Sequence, residues 1–203
     1  MVRRSARLAG NTVEEAAPAA KKQKTTAQAV KPKQSTVDAK KESNDVKADT
    51  AKNTLEEGDE IPADLELENQ DGESVNLLKL AKDAKVLVVF LYPKASTPGC
   101  TRQAVGFRDN FEVLTGLGAT VVGLSSDSPK TQTNFKLKQK LSYDLLSDPS
   151  KKLIGPLGAK KQPNGIVRSD FIFRDGVLKV KRVGISPEKS FTGAVDEVKK
   201  LVT

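Results

Sequence analysis

The sequence of 203 residues contains no histidine, no tryptophan and a single cysteine, Cys100. Without histidine, neither a Ser-His-Asp triad nor a Cys-His pair can form, and the usual zinc sites built from histidine or several cysteines are excluded. A single cysteine cannot form a disulfide within the chain, and it fits a reducing compartment. We therefore expect no metal site, and any cysteine chemistry must be activated by groups other than imidazole.

Long apolar segments are also absent. The most apolar run, residues 86–92, has the length of a strand, whereas a helix needs about 20 apolar residues to span a bilayer. The N-terminal residues contain no apolar stretch of the kind found in signal peptides. We expect a soluble, intracellular protein with no membrane association.

Positive charge is concentrated at the N-terminus. Residues 1–54 hold 12 Lys and Arg against 6 Asp and Glu, so they carry +6 of the net charge of +8. This segment has no aromatic residue and no sustained period of 3.6 or 2, so it cannot bury enough apolar surface to offset the entropy lost on ordering. We predict a disordered basic tail over residues 1–54 and one folded domain over residues 55–203.

Within residues 55–203, strand patterns alternate with helix patterns before an antiparallel pair. The predicted elements are an Asp-Gly hairpin at 64–75, a short helix at 77–81, a strand buried on both faces at 85–92, a helix from Cys100 to about Gly116, a strand at 119–124, a helix capped by Ser128, a short strand at 143–146, a second Asp-Gly hairpin at 170–183 and a closing helix at 194–202. This order indicates an α/β domain with a mixed sheet flanked by helices.

Cys100 ends the segment YPKASTPGC, which lies between the buried strand and the predicted start of a helix. A thiolate at a helix N-terminus is stabilised by unpaired backbone N–H groups and by the helix dipole, so we expect Cys100 to be ionised near neutral pH. A lone cysteine is more often a buried, inert side chain, but this context favours a reactive one. Thr97 adds a hydroxyl three residues before the sulfur and can at the same time cap the helix, and Pro93 and Pro98 stiffen the loop.

The pattern Pro93-x-x-x-Thr97-x-x-Cys100, preceded by Phe-Leu-Tyr and followed by Thr-Arg-Gln-Ala, resembles the peroxidatic motif of the peroxiredoxins. Within that family it is most similar to the bacterioferritin-comigratory or peroxiredoxin Q branch, and with its basic tail the chain resembles the fungal nuclear thiol peroxidase. The resemblance implies a thioredoxin-like mixed β-sheet flanked by helices over residues 55–203. It also implies a thiol-dependent peroxidase, without a cofactor, that reduces hydrogen peroxide and alkyl hydroperoxides.

The resemblance further implies a role for each motif residue. Cys100 corresponds to the peroxidatic cysteine, whose thiolate attacks a peroxide oxygen and becomes a sulfenic acid. Thr97 corresponds to the hydroxyl that hydrogen-bonds the peroxide and the thiolate, and Pro93 to the residue that shields the site. Arg168, which by residue type alone would be a solvated arginine, corresponds to the arginine that polarises the thiolate and the leaving oxygen.

Val105 departs from the family pattern, because many members of this branch carry a resolving cysteine five residues after the first. In those members the two cysteines form an internal disulfide, which this chain cannot form. Its sulfenic acid must be reduced by an external thiol, such as thioredoxin, glutaredoxin or glutathione, or pair with Cys100 of a second chain. We predict a one-cysteine mechanism in a monomeric protein.

Two basic clusters in the tail, Arg3-Arg4 and residues 21–24, are typical of a nuclear import signal read by an import receptor, although a solvated linker has a similar composition. Direct DNA binding is disfavoured, because acidic residues dilute the charge. An Arg-rich start also fits a mitochondrial presequence, which Glu14 and Glu15 oppose. We predict a nuclear protein, with the cytoplasm or mitochondria as alternatives.

A reactive single cysteine also fits two other functions. In a peroxide sensor or chromatin-associated redox adaptor, oxidation of Cys100 would switch partner binding, and turnover would be incidental. A thiol-disulfide oxidoreductase is disfavoured because the Cys-x-x-Cys motif is absent. Repeated turnover with a thiol reductant separates an enzyme from a sensor.

Overall fold

The computed structural model describes residues 54–203, which form a mixed sheet with helices on both faces. The elements in chain order are β1 Glu66–Asn69, β2 Ser74–Asn76, α1 Leu77–Asp83, β3 Val86–Leu91, α2 Pro98–Asp109, α3 Phe111–Gly116, β4 Ala119–Ser125, α4 Pro129–Gln139, β5 Asp144–Ser147, β6 Lys160–Lys161, β7 Gly165–Ile166, β8 Ser169–Arg174, β9 Val177–Val183 and α5 Pro187–Val202. Seven strands pair in the order β2-β1-β5-β4-β3-β8-β9, and β6 pairs with β7 separately. The predicted α/β class with a mixed sheet is confirmed.

The central strand β3 joins the parallel and antiparallel parts of the sheet. It pairs in parallel with β4 and antiparallel with β8, so that Phe90 lies opposite Gly123 on one side and Asp170 on the other. All six of its residues are buried, as the uninterrupted apolar run predicted. Their side chains alternate between two apolar clusters, one on each face of the sheet.

Helices α2 and α5 cover the face of the sheet that carries Phe90. Phe90 stacks on Phe107 of α2, with ring centroids 4.4 Å apart. The two helices approach closely at Gly106, where an added Cβ would overlap the ring of Phe191 on α5. A glycine at this position therefore lets α5 pack directly against α2, which brings the polar residues of both helices into contact.

Several predicted boundaries differ from the structure. The helix predicted from Cys100 to Gly116 starts two residues earlier and is broken at Asn110, whose backbone (φ −102°, ψ 9°) is not helical and whose side-chain amide donates to the Gly106 carbonyl at 2.8 Å. The closing helix begins at Pro187 rather than residue 194, because Ser186 caps it by accepting a hydrogen bond from the backbone N–H of Lys189.

Two further differences are local. Ser128 occupies the N-cap position of α4, but its hydroxyl contacts the hydroxyl of Thr131 instead of a backbone N–H. The two-residue strands β6 and β7 were not predicted, because a segment that short carries no periodicity.

The predictions made for the N-terminal tail, namely disorder and nuclear import, concern residues that lie outside the described range, and the domain boundary at residue 55 stays a prediction with them. Within residues 54–203, no helix combines the length and apolarity needed to cross a membrane.

Candidate active site

Cys100 is the third residue of α2 and is buried, with 1% of its surface exposed. Thr97 is the N-cap residue in extended conformation, and Pro98 is the first helical residue, where its missing N–H is not needed. The Cys100 Sγ accepts a hydrogen bond from Arg168 Nη2 at 3.5 Å. The sulfur therefore lies at the positive end of a helix dipole and beside a fixed cation.

Arg168 reaches the sulfur from the segment between β7 and β8. Its backbone is held because its carbonyl oxygen accepts hydrogen bonds from the N–H groups of Gly184 at 2.9 Å and Ile185 at 3.1 Å. Its guanidinium lies over the first turn of α2, where a Cβ at residue 99 would be 3.1 Å from Nη2, so Gly99 leaves room for it. Two residues that were predicted as site residues, Cys100 and Arg168, are thus in direct contact although they are 68 positions apart.

Gln103 was not predicted as a site residue, yet it links the arginine to the rest of the fold. It is fully buried, one turn after Cys100 on α2. Its Oε1 accepts from Arg168 Nη1 at 2.5 Å, and its Nε2 donates to Ser190 Oγ at 2.9 Å and to the Leu91 carbonyl at 3.5 Å. Two sequence signals marked Gln103: it is a polar residue on the apolar side of α2, and it belongs to the Thr-Arg-Gln-Ala stretch that follows Cys100 in the motif.

Thr97 and Pro93 belong to the loop between β3 and α2. Thr97 is partly buried, and its hydroxyl donates to the Lys94 carbonyl at 3.1 Å. Thr97 occupies the N-cap position of α2, as the sequence predicted, but its hydroxyl makes no cap hydrogen bond to a backbone N–H. Pro93 is exposed and directly follows Tyr92, whose side chain is fully buried. Both predicted residues therefore lie within the loop that leads into the cysteine helix.

A second group of polar side chains holds this loop from the side of β4 and α4. Asp127 Oδ2 accepts from the Ala95 N–H at 2.7 Å and from the Ser125 hydroxyl at 2.9 Å. The Tyr92 hydroxyl donates to Gln132 Oε1, and burial raises the pKa of Tyr92 well above its usual value, so this tyrosine stays neutral. Hydrogen bonds to Gln132 and Asp127 therefore hold the loop at Tyr92 and at Ala95.

A buried ion pair lies beyond Ser190. Asp170 on β8 has no exposed side-chain surface, and Arg182 on β9 donates to both of its carboxylate oxygens, with Nε to Oδ1 at 2.9 Å. Burial raises the pKa of Asp170 to about 6, and the hydrogen bonds and positive charge of Arg182 oppose that increase.

A buried sulfur at the start of a helix, with a guanidinium within hydrogen-bonding distance, is suited to nucleophilic attack followed by transfer of negative charge to a neighbouring atom. Placed at the carboxyl end of the central strand of a mixed sheet flanked by helices, this arrangement defines the chain as a thiol-based oxidoreductase with a thioredoxin-like fold.

Comparison with known proteins gives the family. A model of the AhpC/TSA family matches residues 58–182. Peroxiredoxin bcp1 of Schizosaccharomyces pombe is 45% identical over 157 residues, which cover 74% of this chain and 80% of that protein. Peroxiredoxin Bcp of Escherichia coli K12 is 42% identical over 135 residues, which cover 63% of this chain and 85% of that protein. The solved structure of Xanthomonas campestris bacterioferritin comigratory protein is 28% identical with a TM-score of 0.67, covering 73% of this chain and 98% of that chain.

The chain therefore belongs to the AhpC/TSA family, together with proteins named peroxiredoxins, and it is a thiol-dependent peroxidase. Its substrate is a peroxide, and its electrons come from a thiol. The family and the thioredoxin-like fold predicted from the motif around Cys100 are confirmed.

Proposed function

We propose that this peroxidase reduces hydrogen peroxide and alkyl hydroperoxides by a one-cysteine mechanism, with Cys100, Thr97, Arg168 and Pro93 as its catalytic site. The observation that carries the proposal is the hydrogen bond of 3.5 Å from Arg168 Nη2 to Cys100 Sγ at the first turn of α2. Alkyl substrates are supported by the Xanthomonas campestris relative, whose structure was described together with its alkyl peroxide reduction activity.

In the oxidative step, the Cys100 thiolate attacks one peroxide oxygen, so that an S–O bond forms and the O–O bond breaks. Sulfur loses two electrons, and the departing oxygen gains them and takes up a proton to leave as water or an alcohol. Arg168 stabilises negative charge first on the sulfur and then on the departing oxygen, because its guanidinium is already fixed by Gln103. The Thr97 hydroxyl orients the peroxide, and Pro93 shields the site.

In the reductive step, an external thiol attacks the sulfenic acid and releases water, giving a mixed disulfide. A second thiol then attacks the external sulfur and restores the Cys100 thiolate. Candidate reductants are thioredoxin, glutaredoxin and glutathione, or Cys100 of a second chain. Because Cys100 is 1% exposed, the first turn of α2 has to move before a protein thiol reaches the sulfur.

The decisive experiment measures peroxide consumption by the full chain with each candidate reductant in turn. We expect many turnovers per chain with at least one reductant and none in the Cys100→Ser variant, whose circular dichroism spectrum should match that of the wild type. Consumption of one peroxide per chain with every reductant would instead indicate the sensor or adaptor function. Intact mass after peroxide should show a sulfenic acid or a thiol adduct, and an internal cross-link would contradict the mechanism.

We further propose that the peroxidase is a monomer that enters the nucleus through the basic clusters of residues 1–54, which an import receptor would bind. The support for nuclear import is the composition of the tail alone. Fusion of residues 1–54 to a fluorescent protein should direct it to the nucleus, and replacement of the lysines at 21–24 by alanine should abolish that effect. Delivery of the fusion to mitochondria would identify the segment as a presequence instead.

A further inference from the structure

Asp127, which follows β4, connects the end of that strand to the middle of the loop between β3 and α2. Its Oδ2 accepts hydrogen bonds from the backbone N–H of Ala95 at 2.7 Å and from the Ser125 hydroxyl at 2.9 Å. We infer that Asp127 is a positioning residue: it fixes the peptide unit between Lys94 and Ala95, and through that peptide it orients the Thr97 hydroxyl. Its role rests on the proposed function, in which Thr97 contacts the peroxide.

The peptide unit between Lys94 and Ala95 has a hydrogen bond at each edge. Its N–H, which belongs to Ala95, donates to Asp127 Oδ2. Its carbonyl, which belongs to Lys94, accepts from the Thr97 hydroxyl at 3.1 Å. The N–H and the carbonyl of a trans peptide lie in one plane and point in opposite directions, so the partner of one determines the direction of the other. Asp127 and Thr97 therefore face opposite edges of a single rigid plane.

A carboxylate can only accept hydrogen bonds, so Asp127 selects one of the two orientations of this peptide. If the plane turned over, the Lys94 carbonyl would face the carboxylate as a second acceptor, and Thr97 would face an N–H instead of a carbonyl. The buried methyl group of Ala95 does not make this choice, because the plane can turn about the line between its two Cα atoms without moving them. The side chain of Lys94, an exposed residue, does not make it either.

Contacts at the two ends of the loop hold other atoms. At the start, the Tyr92 N–H donates to the Leu124 carbonyl at 3.2 Å, and at the end the Thr97 carbonyl accepts from the N–H four residues later at 2.8 Å. Between them, Ser96 has a φ of 62°, which is unfavourable for a residue other than glycine. The middle of the loop therefore needs a partner of its own, which Asp127 supplies.

The Asp127 carboxylate is itself held in place. The Ser125 oxygen accepts from the Asp127 N–H at 3.1 Å and from Gln132 Nε2 at 3.2 Å, while the Ser125 hydroxyl donates its proton to Asp127 Oδ2. The Asp127 carbonyl accepts from the Ser147 hydroxyl at 2.7 Å. Because the Ser125 oxygen already accepts two hydrogen bonds, the side chain at position 127 has to present an acceptor to it. The carboxylate is thereby fixed relative to β4 and β5.

This arrangement gives the Thr97 hydroxyl a defined polarity. Its one proton is donated to the Lys94 carbonyl, so towards a peroxide its oxygen can only accept a hydrogen bond. The Arg168 guanidinium, in contrast, can only donate. A hydroperoxide group carries one proton and has lone pairs on both oxygens, so it matches one acceptor and one donor in the site. Without Asp127 the hydroxyl can turn, and this match is lost in part of the molecules.

The test measures the second-order rate of reaction of reduced Cys100 in the full chain with hydrogen peroxide, in a single turnover without a reductant. Variants are compared after circular dichroism has shown that they fold. Asp127→Ala should lower the rate roughly tenfold, the effect of losing one hydrogen bond to a charged group. Retention of the wild-type rate by Asp127→Ala would overturn the inference.

Asp127→Asn separates the hydrogen bond of Asp127 from its charge. Asparagine keeps an acceptor oxygen, which the Ser125 hydroxyl directs towards the position of Oδ2, so this variant should react within about threefold of the wild-type rate. A loss as large as that of Asp127→Ala would show that the charge matters and the hydrogen bond does not, which contradicts the positioning role.

Asp59→Ala is the matched control. Asp59 is also half-buried, and its carboxylate also accepts from a backbone N–H, that of Glu56 at 2.9 Å. Its own carbonyl accepts from Leu178, near the beginning of β3 and thus at the end of the sheet opposite the loop. We expect the wild-type rate within about twofold. A tenfold loss would mean that removal of any such carboxylate slows the reaction, and the inference would fail.

A double-mutant cycle with Thr97→Val shows whether Asp127 acts through Thr97. Thr97→Val alone should lower the rate at least about tenfold, because valine has the same shape but no hydroxyl. In that background, Asp127→Ala should change the rate less than about twofold. An equal loss in both backgrounds would refute the positioning role and leave that of Thr97 intact. An unchanged rate in Thr97→Val would refute the catalytic role of Thr97 itself.

Ser125→Ala provides a second variant, used by the same criteria if Asp127→Ala does not fold. It keeps Asp127 but removes the hydroxyl that directs the carboxylate. We expect a loss of roughly threefold in the wild-type background and none in the Thr97→Val background. A wild-type rate in Ser125→Ala, or a loss of equal size in both backgrounds, would then overturn the inference.

Discussion

Acidification should stabilise the fold through Asp170, contrary to the usual effect of a buried carboxylate in an ion pair. The pKa of Asp170 is about 6 in the folded protein against an ordinary value of 3.8. The folded state therefore binds the proton more tightly than the unfolded chain does, so this residue adds to the free energy of unfolding as pH falls from 7 towards 4. Above pH 7 the benefit is absent, because Asp170 is ionised in both states.

The expected size follows from that difference of about two pKa units, each equivalent to about 1.4 kcal/mol. At a pH low enough to protonate Asp170 fully in both the folded and the unfolded state, its protonation would add about 3 kcal/mol to the free energy of unfolding. Between pH 7.5 and pH 4.5 the folded protein takes up most of a proton while the unfolded chain takes up little. The gain over this interval is about 2 kcal/mol.

The assay is urea unfolding followed by far-ultraviolet circular dichroism at pH 7.5 and 4.5, for the full chain and for Asp170→Asn. Asparagine does not titrate, so the free energy of unfolding of the wild type minus that of the variant removes the contributions of all other acids. This difference should increase by about 2 kcal/mol at the lower pH. If it stays constant or decreases, the ion pair with Arg182 outweighs burial and our reasoning on Asp170 is wrong.

Two other substitutions test the packing and the chemistry of α2. Gly106→Ala should destabilise the domain by about 1–3 kcal/mol, because the new methyl group overlaps the Phe191 ring, whereas Gly116→Ala, which has open space, should leave the melting temperature unchanged or slightly higher. Val105→Cys adds a thiol five residues after Cys100, about 9 Å away in an intact helix and too far for a disulfide. Because access of a protein thiol to Cys100 requires the first turn of α2 to move, we expect peroxide to give an internal disulfide in this variant, seen by intact mass. A sulfenic acid that persists until an external thiol is added would mean that α2 stays intact on oxidation.

Much of the fold could be predicted because its signals are local. The two hairpins follow from Asp-Gly turns, and β3 follows from a run of apolar, β-branched and aromatic residues. The helix boundaries could not be predicted in the same way, because Asn110 ends α2 through its own side-chain hydrogen bond, while the apolar period continues into α3. The spacing of apolar residues therefore predicts that a helix is present better than it predicts the residue at which the helix ends.

The identity of Cys100 as the one thiol of this chain, and its place between a buried strand and a helix, could be read from the sequence, because composition and turn-forming residues are local properties. The groups around the sulfur, in contrast, come from distant parts of the chain that folding brings together. Arg168 reaches it because β8 pairs with β3, and Gln103 meets Ser190 because α5 packs on α2. Those contacts join residues 65 and 87 positions apart, and their partners are chosen by sheet pairing and helix packing rather than by neighbours along the chain.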